Sequence, residues 1–194
     1  MNEHLTFYVP ALIAVGLLTW FFMRRGGWLN AAPAAGSKLA EFGEFVRLRD
    51  VFRAAIIIEE DGYAFYKKME NKAKAPETKE LCSTLAEEEV SHRKLFNGLL
   101  NHWNPLGVNP LTWPAFIDGV RKEGFFGNPP GENVSEDEMA TYAIIQEIRS
   151  AEFYQLFESA FPEAWKRVRL HRLVLEERSH EARLRAAYPH LNPK

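Results

Sequence analysis

The chain has 194 residues, is 46% hydrophobic and 26% charged, and carries a formal net charge of −2 and a single cysteine. That length suits one domain plus an appendage, and the composition excludes wholesale disorder and collagen-like repeats. One cysteine excludes an intramolecular disulfide or a Cys-rich zinc ribbon, and the near-neutral charge excludes nucleic acid as a partner drawn by bulk attraction.

In chain order, the first feature is Leu5 to Met23, an apolar run of 19 residues without a charge. As a helix it would be about 28 Å long, close to the hydrocarbon thickness of a bilayer. Tyr8 and Trp20 lie near its ends, where amphipathic rings prefer to sit. A cleaved signal peptide is the rival reading, since Ala31 to Gly36 offers small residues for cleavage. A signal peptide would have a basic stretch before the run, however, whereas here Asn2, Glu3 and His4 precede it and Arg24 and Arg25 follow it. The sequence therefore predicts a single-pass inner-membrane anchor over 1–25. The arginine pair places the soluble part in the cytoplasm. Residues 26–40, rich in Gly, Ala and Pro, read as a linker, and 41–194 as the soluble domain.

Four stretches of that domain carry apolar residues at spacings of three and four: 41–73, 76–102, 135–160 and 162–188. Pro76 and Pro162 fall where a first-turn proline is tolerated, and Ser135 followed by Glu136, Asp137 and Glu138 reads as an N-cap with an acidic first turn. The first and second stretches, and the third and fourth, are separated by very short links, so each pair is expected to be an antiparallel hairpin. The link over 103–134 is long enough to run the length of a bundle. The expected fold is all-α: a four-helix bundle with one long crossover.

The two hairpins align with a constant offset of 88 residues. EEDGYAFY (59–66) corresponds to EIRSAEFY (147–154), and LAEEEVSH (85–92) to LVLEERSH (173–180). The inward rows traced at three-four spacing are Phe52, Ile56, Glu59, Tyr63, Tyr66, Met69 on the first helix and Cys82, Leu85, Glu89, His92, Phe96, Leu99 on the second. The third gives Ala140, Ile144, Glu147, Ala151, Tyr154, Phe157, and the fourth Leu170, Leu173, Glu177, His180, Leu184, Ala187. Each row contains a Glu, or a Glu with a His one turn later. Burying an unpaired carboxylate costs several kcal/mol, and four together repel one another. Two divalent cations remove both problems, with two neutral imidazoles completing the ligand set. One Glu from each of two helices plus Glu-x-x-His from each of the other two is the ligand pattern of dimetal carboxylate bundles. The expected metal ligands are therefore Glu59, Glu89, His92, Glu147, Glu177 and His180; the rival reading is a buried polar network without metal, which would need donors to match the carboxylates, and none stands out in the sequence.

The patterns IIIEEDGYAFYKKM (56–69) and LAEEEVSHRKLF (85–96) resemble the ferritin-like superfamily, and its rubrerythrin-like branch in particular. The resemblance spans about 45–187. It implies a ferritin-like bundle holding two iron ions, with manganese or zinc as other occupants of such ligands. It also implies that Glu89 and Glu177 bridge the ions, while Glu59 with His92 and Glu147 with His180 are terminal ligands. The chain departs from that branch in two places. It has no Cys-x-x-Cys pair for a rubredoxin-type electron-transfer domain, and Ser150 stands where rubrerythrins carry a further carboxylate.

Tyr66 and Tyr154, seven residues after Glu59 and Glu147, are either core residues with satisfied hydroxyls or groups that hydrogen-bond to the site or relay electrons; they are the catalytic candidates. Glu60, Asp61, Glu87, Glu88 and Glu176 fall off the apolar rows and read as a solvated face. Cys82 reads as a small core residue and His171 as a surface or packing residue. Trp103, Trp113, Phe116, Phe125 and Phe126 of the crossover either pack on the bundle flank or form a patch for a membrane or protein partner. Lys122, Lys166, Arg167, Arg169 and Arg172 read as a solvated surface. The leading expectation is a membrane-anchored di-iron oxidoreductase acting with O2 or peroxide and fed by an external electron donor. The alternative is an accessory subunit of a membrane-embedded respiratory or photosynthetic complex, with a structural or vestigial metal.

Overall fold

The computed structural model describes residues 46–103, 129–131, 133–161 and 164–193. They form four helices: α1 (Leu48–Lys72), α2 (Pro76–Trp103), α3 (Glu136–Ala160) and α4 (Ala164–Ala187). The offset of 88 carries the start of α1 onto that of α3, its end onto the end of α3, and the start of α2 onto that of α4. The caps follow the same rule. Asp50 accepts from the backbone N–H of Arg47 at 3.1 Å, and Glu138 accepts from that of Ser135 at 2.8 Å. Each acid at the third helical position thereby satisfies a donor that the helix leaves open. This capping also corrects the expected start of the first helix. Arg47 is extended, with φ −120° and ψ 156°, so the helix opens at Leu48 rather than at 41.

Cross-helix contacts give the directions. Glu59 meets His92 while Gly62, one turn later, faces Glu89, one turn earlier, and Glu147 meets His180 while Tyr188 reaches Glu136, so both hairpins are antiparallel. Tyr66 reaches Glu147 and Tyr154 reaches Glu59, so α1 and α3 are antiparallel too. It follows that α2 and α3 run parallel, as a long crossover requires. The end of that crossover is tied to the C-terminal half of α1 by the ammonium of Lys68 on the carbonyl of Pro130 at 3.0 Å and that of Lys72 on Val134 at 3.2 Å.

Two apolar clusters fill the bundle. One gathers Phe52, Phe96, Tyr154, Phe157 and Leu173; the other gathers Met69, Leu85, Ile144 and Leu184. The Glu and His residues of the inward rows lie between them. Packed aromatics seal the first side, with Phe52 edge-on to Phe157 at 5.6 Å and Phe96 stacked on Tyr154 at 5.7 Å.

The row expected on the first helix is corrected at two positions. Ile56 is only half-buried and Tyr63 is 38% exposed. The inward turn is instead Ala55, Glu59, Gly62, Tyr66, Met69. A Cβ at Gly62 would stand 3.2 Å from the Glu89 carboxyl carbon, so a methyl there would press that carboxylate aside by a few tenths of an ångström. On the fourth helix Ala187 is exposed, and Tyr188 fills the core at that end.

Among the described residues no helix is long and apolar enough to cross a membrane. The predicted span Leu5–Met23, the linker, and Trp113, Phe116, Lys122, Phe125 and Phe126 of the crossover lie outside the described residues.

Candidate metal centre

The three-residue step in Glu-x-x-His puts Glu89 with His92, and Glu177 with His180, on the inward face of α2 and α4. Their partners Glu59 and Glu147 come from α1 and α3 at the same level. All six residues are buried, none more than 6% exposed. They converge as two overlapping sets of four whose ligating atoms lie within 4.8 Å of one another: Glu59, Glu89, His92 and Glu177, and Glu89, Glu147, Glu177 and His180. Glu89 and Glu177 belong to both sets. In the first set His92 Nδ1 lies 3.2 Å from Glu59, 3.3 Å from Glu177 and 3.7 Å from Glu89. In the second His180 Nδ1 lies 3.3 Å from Glu147 and 3.7 Å from Glu89. The six residues expected as ligands are thus brought to one place.

Three buried atoms here, Glu147 Oε2, Glu177 Oε1 and His180 Nδ1, make no well-aligned hydrogen bond, although His180 Nδ1 and Glu147 Oε2 lie 3.3 Å apart and Glu177 Oε1 lies 3.3 Å from His92 Nδ1. Buried polar atoms normally find well-formed partners, and poorly satisfied carboxylate and imidazole lone pairs facing one centre are suited to a cation. Hard carboxylates with borderline imidazoles suit iron, manganese or zinc. The donor set therefore fits the metal.

Electrostatics within the cluster point the same way. Burial pushes the Glu89 carboxyl well up, and repulsion from Glu59 and Glu177 adds to it. Burial likewise raises Glu177 to about 8, against the pull of His92 and with repulsion from Glu147 and Glu59. Burial would lower both histidines, yet hydrogen bonds to the carboxylates win: His92 is raised and His180 reaches about 10. For Glu59 burial is outweighed in the other direction, because hydrogen bonds from Glu89, His92 and Tyr154 hold it below its ordinary value. The cation-free cluster thus balances its carboxylates with protons, which a divalent cation would displace.

Two layers surround the ligands, and both cross between hairpins. The Tyr66 hydroxyl donates to Glu147 Oε1 and the Tyr154 hydroxyl to Glu59 Oε1. Burial first, and then the carboxylate charge beside each, hold both phenols well above their ordinary value, so they stay protonated donors. On the outer side, His92 Nε2 lies 3.2 Å from Glu176, and His180 Nε2 lies 3.1 Å from Glu88. Glu176 is held in turn by Arg172 at 2.8 Å and Glu88 by Arg183. The hydrogen bond from His180, against some burial and with help from Arg183, lowers the Glu88 carboxyl to about 2. A carboxylate on Nε2 fixes the proton there and leaves Nδ1 free to ligate.

Glu88 and Glu176 therefore correct the expectation of a solvated face: each is partly exposed, and each orients a histidine of the opposite hairpin. They lie off the apolar rows because they approach the rings from outside. A signal for them was present, since the offset of 88 carries Glu88 onto Glu176. It carries Glu60, Asp61 and Glu87 onto Ile148, Arg149 and Leu175. Cys82 is buried, as expected, and His171 sits on the surface near Glu158.

No curated protein and no solved structure matches the chain. The Rubrerythrin family model matches residues 50–111, which take in α1 from Asp50 and all of α2 with Glu59, Glu89 and His92. The chain thus carries a Rubrerythrin match, of the ferritin-like superfamily, in the first hairpin of a bundle of four helices among the described residues, whose buried carboxylate–histidine cluster could hold a metal.

Proposed function

We propose that the protein is a membrane-anchored di-iron oxidoreductase that acts with O2 or peroxide and takes electrons from an external donor. The observation that carries the reading is the pair of four-ligand sets sharing Glu89 and Glu177. Two overlapping sets are the donor arrangement for two neighbouring cations, and four carboxylates balance two 2+ charges.

Glu59 and His92 would hold one ion, Glu147 and His180 the other, and Glu89 and Glu177 both. Bound iron supplies one-electron redox chemistry toward O2 or peroxide. The chain's own residues set the conditions for it. The two apolar clusters exclude water from both ends of the layer. Glu88 and Glu176 hold the imidazoles in the ligating orientation. Tyr66 and Tyr154, the catalytic candidates, keep a proton at Glu147 Oε1 and Glu59 Oε1, where it fixes those carboxylates and can follow a change in their charge. An intact six-ligand layer in a bundle that would gain from apolar residues there supports a working rather than a vestigial site.

The test uses the full chain in mild detergent, loaded anaerobically with ferrous iron. Two irons per chain, and consumption of peroxide or O2 with a reductant that Glu89→Ala abolishes, are expected. Fewer than one iron per chain, or turnover equal to that of Glu89→Ala, would sink the proposal.

A further inference from the structure

Outside the metal layer, α2 and α4 enclose a cleft of about 630 Å³ behind the two histidine rings. The internal twofold accounts for part of its lining, because Glu88 with Glu176, Ser91 with Ser179 and His92 with His180 are pairs related by 88 residues. It does not account for three arginines, Arg169, Arg172 and Arg183, which all come from α4. Their counterparts on α2 are Leu81, Thr84 and Leu95. The hairpin repeat would be complete without them, and Arg169 takes no part in holding the carboxylates that orient the histidines.

We propose that this cleft binds a small organic oxyanion, a carboxylate or phosphate group on a compact apolar body, at Arg169, Arg172 and Arg183. Donors exceed acceptors in the cleft. Each guanidinium offers five N–H groups, and the two carboxylates present are already shared with His180 and His92. The side chain of Arg183 contacts Glu88 through one terminal nitrogen, while its Nε is buried without an acceptor. Arg172 lines the cleft and contacts Glu176 through Nε, with a side chain 80% exposed, so its terminal nitrogens are not taken up by that pair. Arg169 makes no ion pair with any described residue. With three positive and two negative side chains the cleft carries a surplus of one positive charge. A planar or tetrahedral oxyanion is the complement of such forks, which bind it with two parallel hydrogen bonds. Leu95 and Leu173 form the remaining wall, which suits an apolar body next to the charged group. The ligand would compete with Glu88 and Glu176 for Arg183 and Arg172, and so would bear on the groups that orient the histidines.

Binding of the anion requires neither metal nor turnover, so its test stands apart from that of the oxidoreductase reading. Benzoate and its uncharged isostere benzamide are titrated by calorimetry, at fixed ionic strength, into the metal-free full chain in detergent. Saturable binding of benzoate is expected, with benzamide far weaker. Arg169 is exposed, so Arg169→Ala is expected to keep the parent's helical circular dichroism signal, and Arg183→Lys keeps the charge but removes the fork. Each should weaken benzoate about tenfold, the equivalent of one charge-assisted contact. No saturable binding of benzoate, equal binding of benzamide, or unchanged affinity in either variant would overturn the proposal.

Discussion

Replacing Glu88 by Ala tests whether the outer carboxylates serve the metal or merely decorate the surface. His180 Nε2 lies 3.1 Å from Glu88, and no second acceptor for that nitrogen is present among the described residues. Without Glu88 the ring loses the group that keeps the proton on Nε2, and Nδ1 is no longer the preferred ligating atom. Loss of such an outer carboxylate typically weakens metal binding 10- to 100-fold. Glu88 is 41% exposed, so water can replace part of the contact. The expected loss is therefore at the low end, about tenfold in affinity or roughly 1.4 kcal/mol. Glu176→Ala, acting on His92 from a side chain 34% exposed, should cost a similar amount. Glu60→Ala is the control: it is a neighbouring acid, 53% exposed, whose ion pair among the described residues is with Arg93 at 3.6 Å. The assay is anaerobic titration of the metal-free full chain with manganous ion, read by calorimetry, with melting temperature recorded for each variant. Glu88→Gln keeps an acceptor oxygen and should recover most of the affinity. If Glu88→Ala and Glu176→Ala both bind within about twofold of the unsubstituted chain while Glu89→Ala does not bind, the orienting role is refuted.

The remaining expectations concern the ligand layer itself. Glu89→Ala removes a carboxylate common to both sets and should abolish stoichiometric metal, whereas His180→Ala, which touches one set, should leave partial occupancy by elemental analysis. Gly62→Ala places a methyl 3.2 Å from the Glu89 carboxyl carbon and should weaken metal binding without unfolding the chain, seen as a lower metal content at an α-helical circular dichroism signal unchanged from the parent. Tyr154→Phe strips a donor from fully buried Glu59 and should lower stability by about 1–3 kcal/mol in denaturant titration. Glu177 is raised from 4.5 to about 8 and His180 from 6.5 to about 10. Raised values mean that their contribution is complete below 4.5 and 6.5 and is lost as pH climbs through about 8 and then about 10. The metal-free chain should therefore melt at falling temperatures as pH rises through that window, while metal binding tightens because fewer protons compete.

The fold was legible because helix period and repeat agree. The offset of 88, visible in EEDGYAFY and EIRSAEFY, reproduces the observed helix starts and the capping acids Asp50 and Glu138. The ligands were legible for the same reason: a Glu on an apolar row is anomalous, and each anomaly occurs twice. Tyr63 was misplaced because a three-four trace cannot choose between positions 62 and 63 when the true inward residue is a glycine with no side chain to mark it. Glu88 and Glu176 were missed because apolar spacing finds residues that point inward. A carboxylate that meets the outer nitrogen of a buried ring has the periodicity of a surface residue. The arginine surplus of the cleft was invisible for another reason, since Arg169 and Arg183 are two heptads apart on α4 and only the packing against α2 encloses them.

The repeat also explains why a bundle can carry so polar a middle. Within each hairpin the sequence supplies three of the four ligands of one set: Glu59, Glu89 and His92 in the first, Glu147, Glu177 and His180 in the second. The fourth ligand always comes from the other hairpin, as Glu177 or Glu89. The contacts made directly on the ligands from the surrounding layers cross as well, from Tyr66 to Glu147, from Tyr154 to Glu59, from Glu88 to His180 and from Glu176 to His92. Neither hairpin can therefore complete a set or orient its own histidine. The hairpins are joined on either side of the layer by apolar contacts such as Phe52 on Phe157. At the layer itself the join is made by shared carboxylates, whose mutual repulsion opposes docking until protons or cations neutralise it. A cation that binds only the docked pair stabilises docking by an amount that grows with the logarithm of its concentration over its dissociation constant. The metal site is in this sense the joint between the two halves, and the crossed wiring ties its affinity to their association.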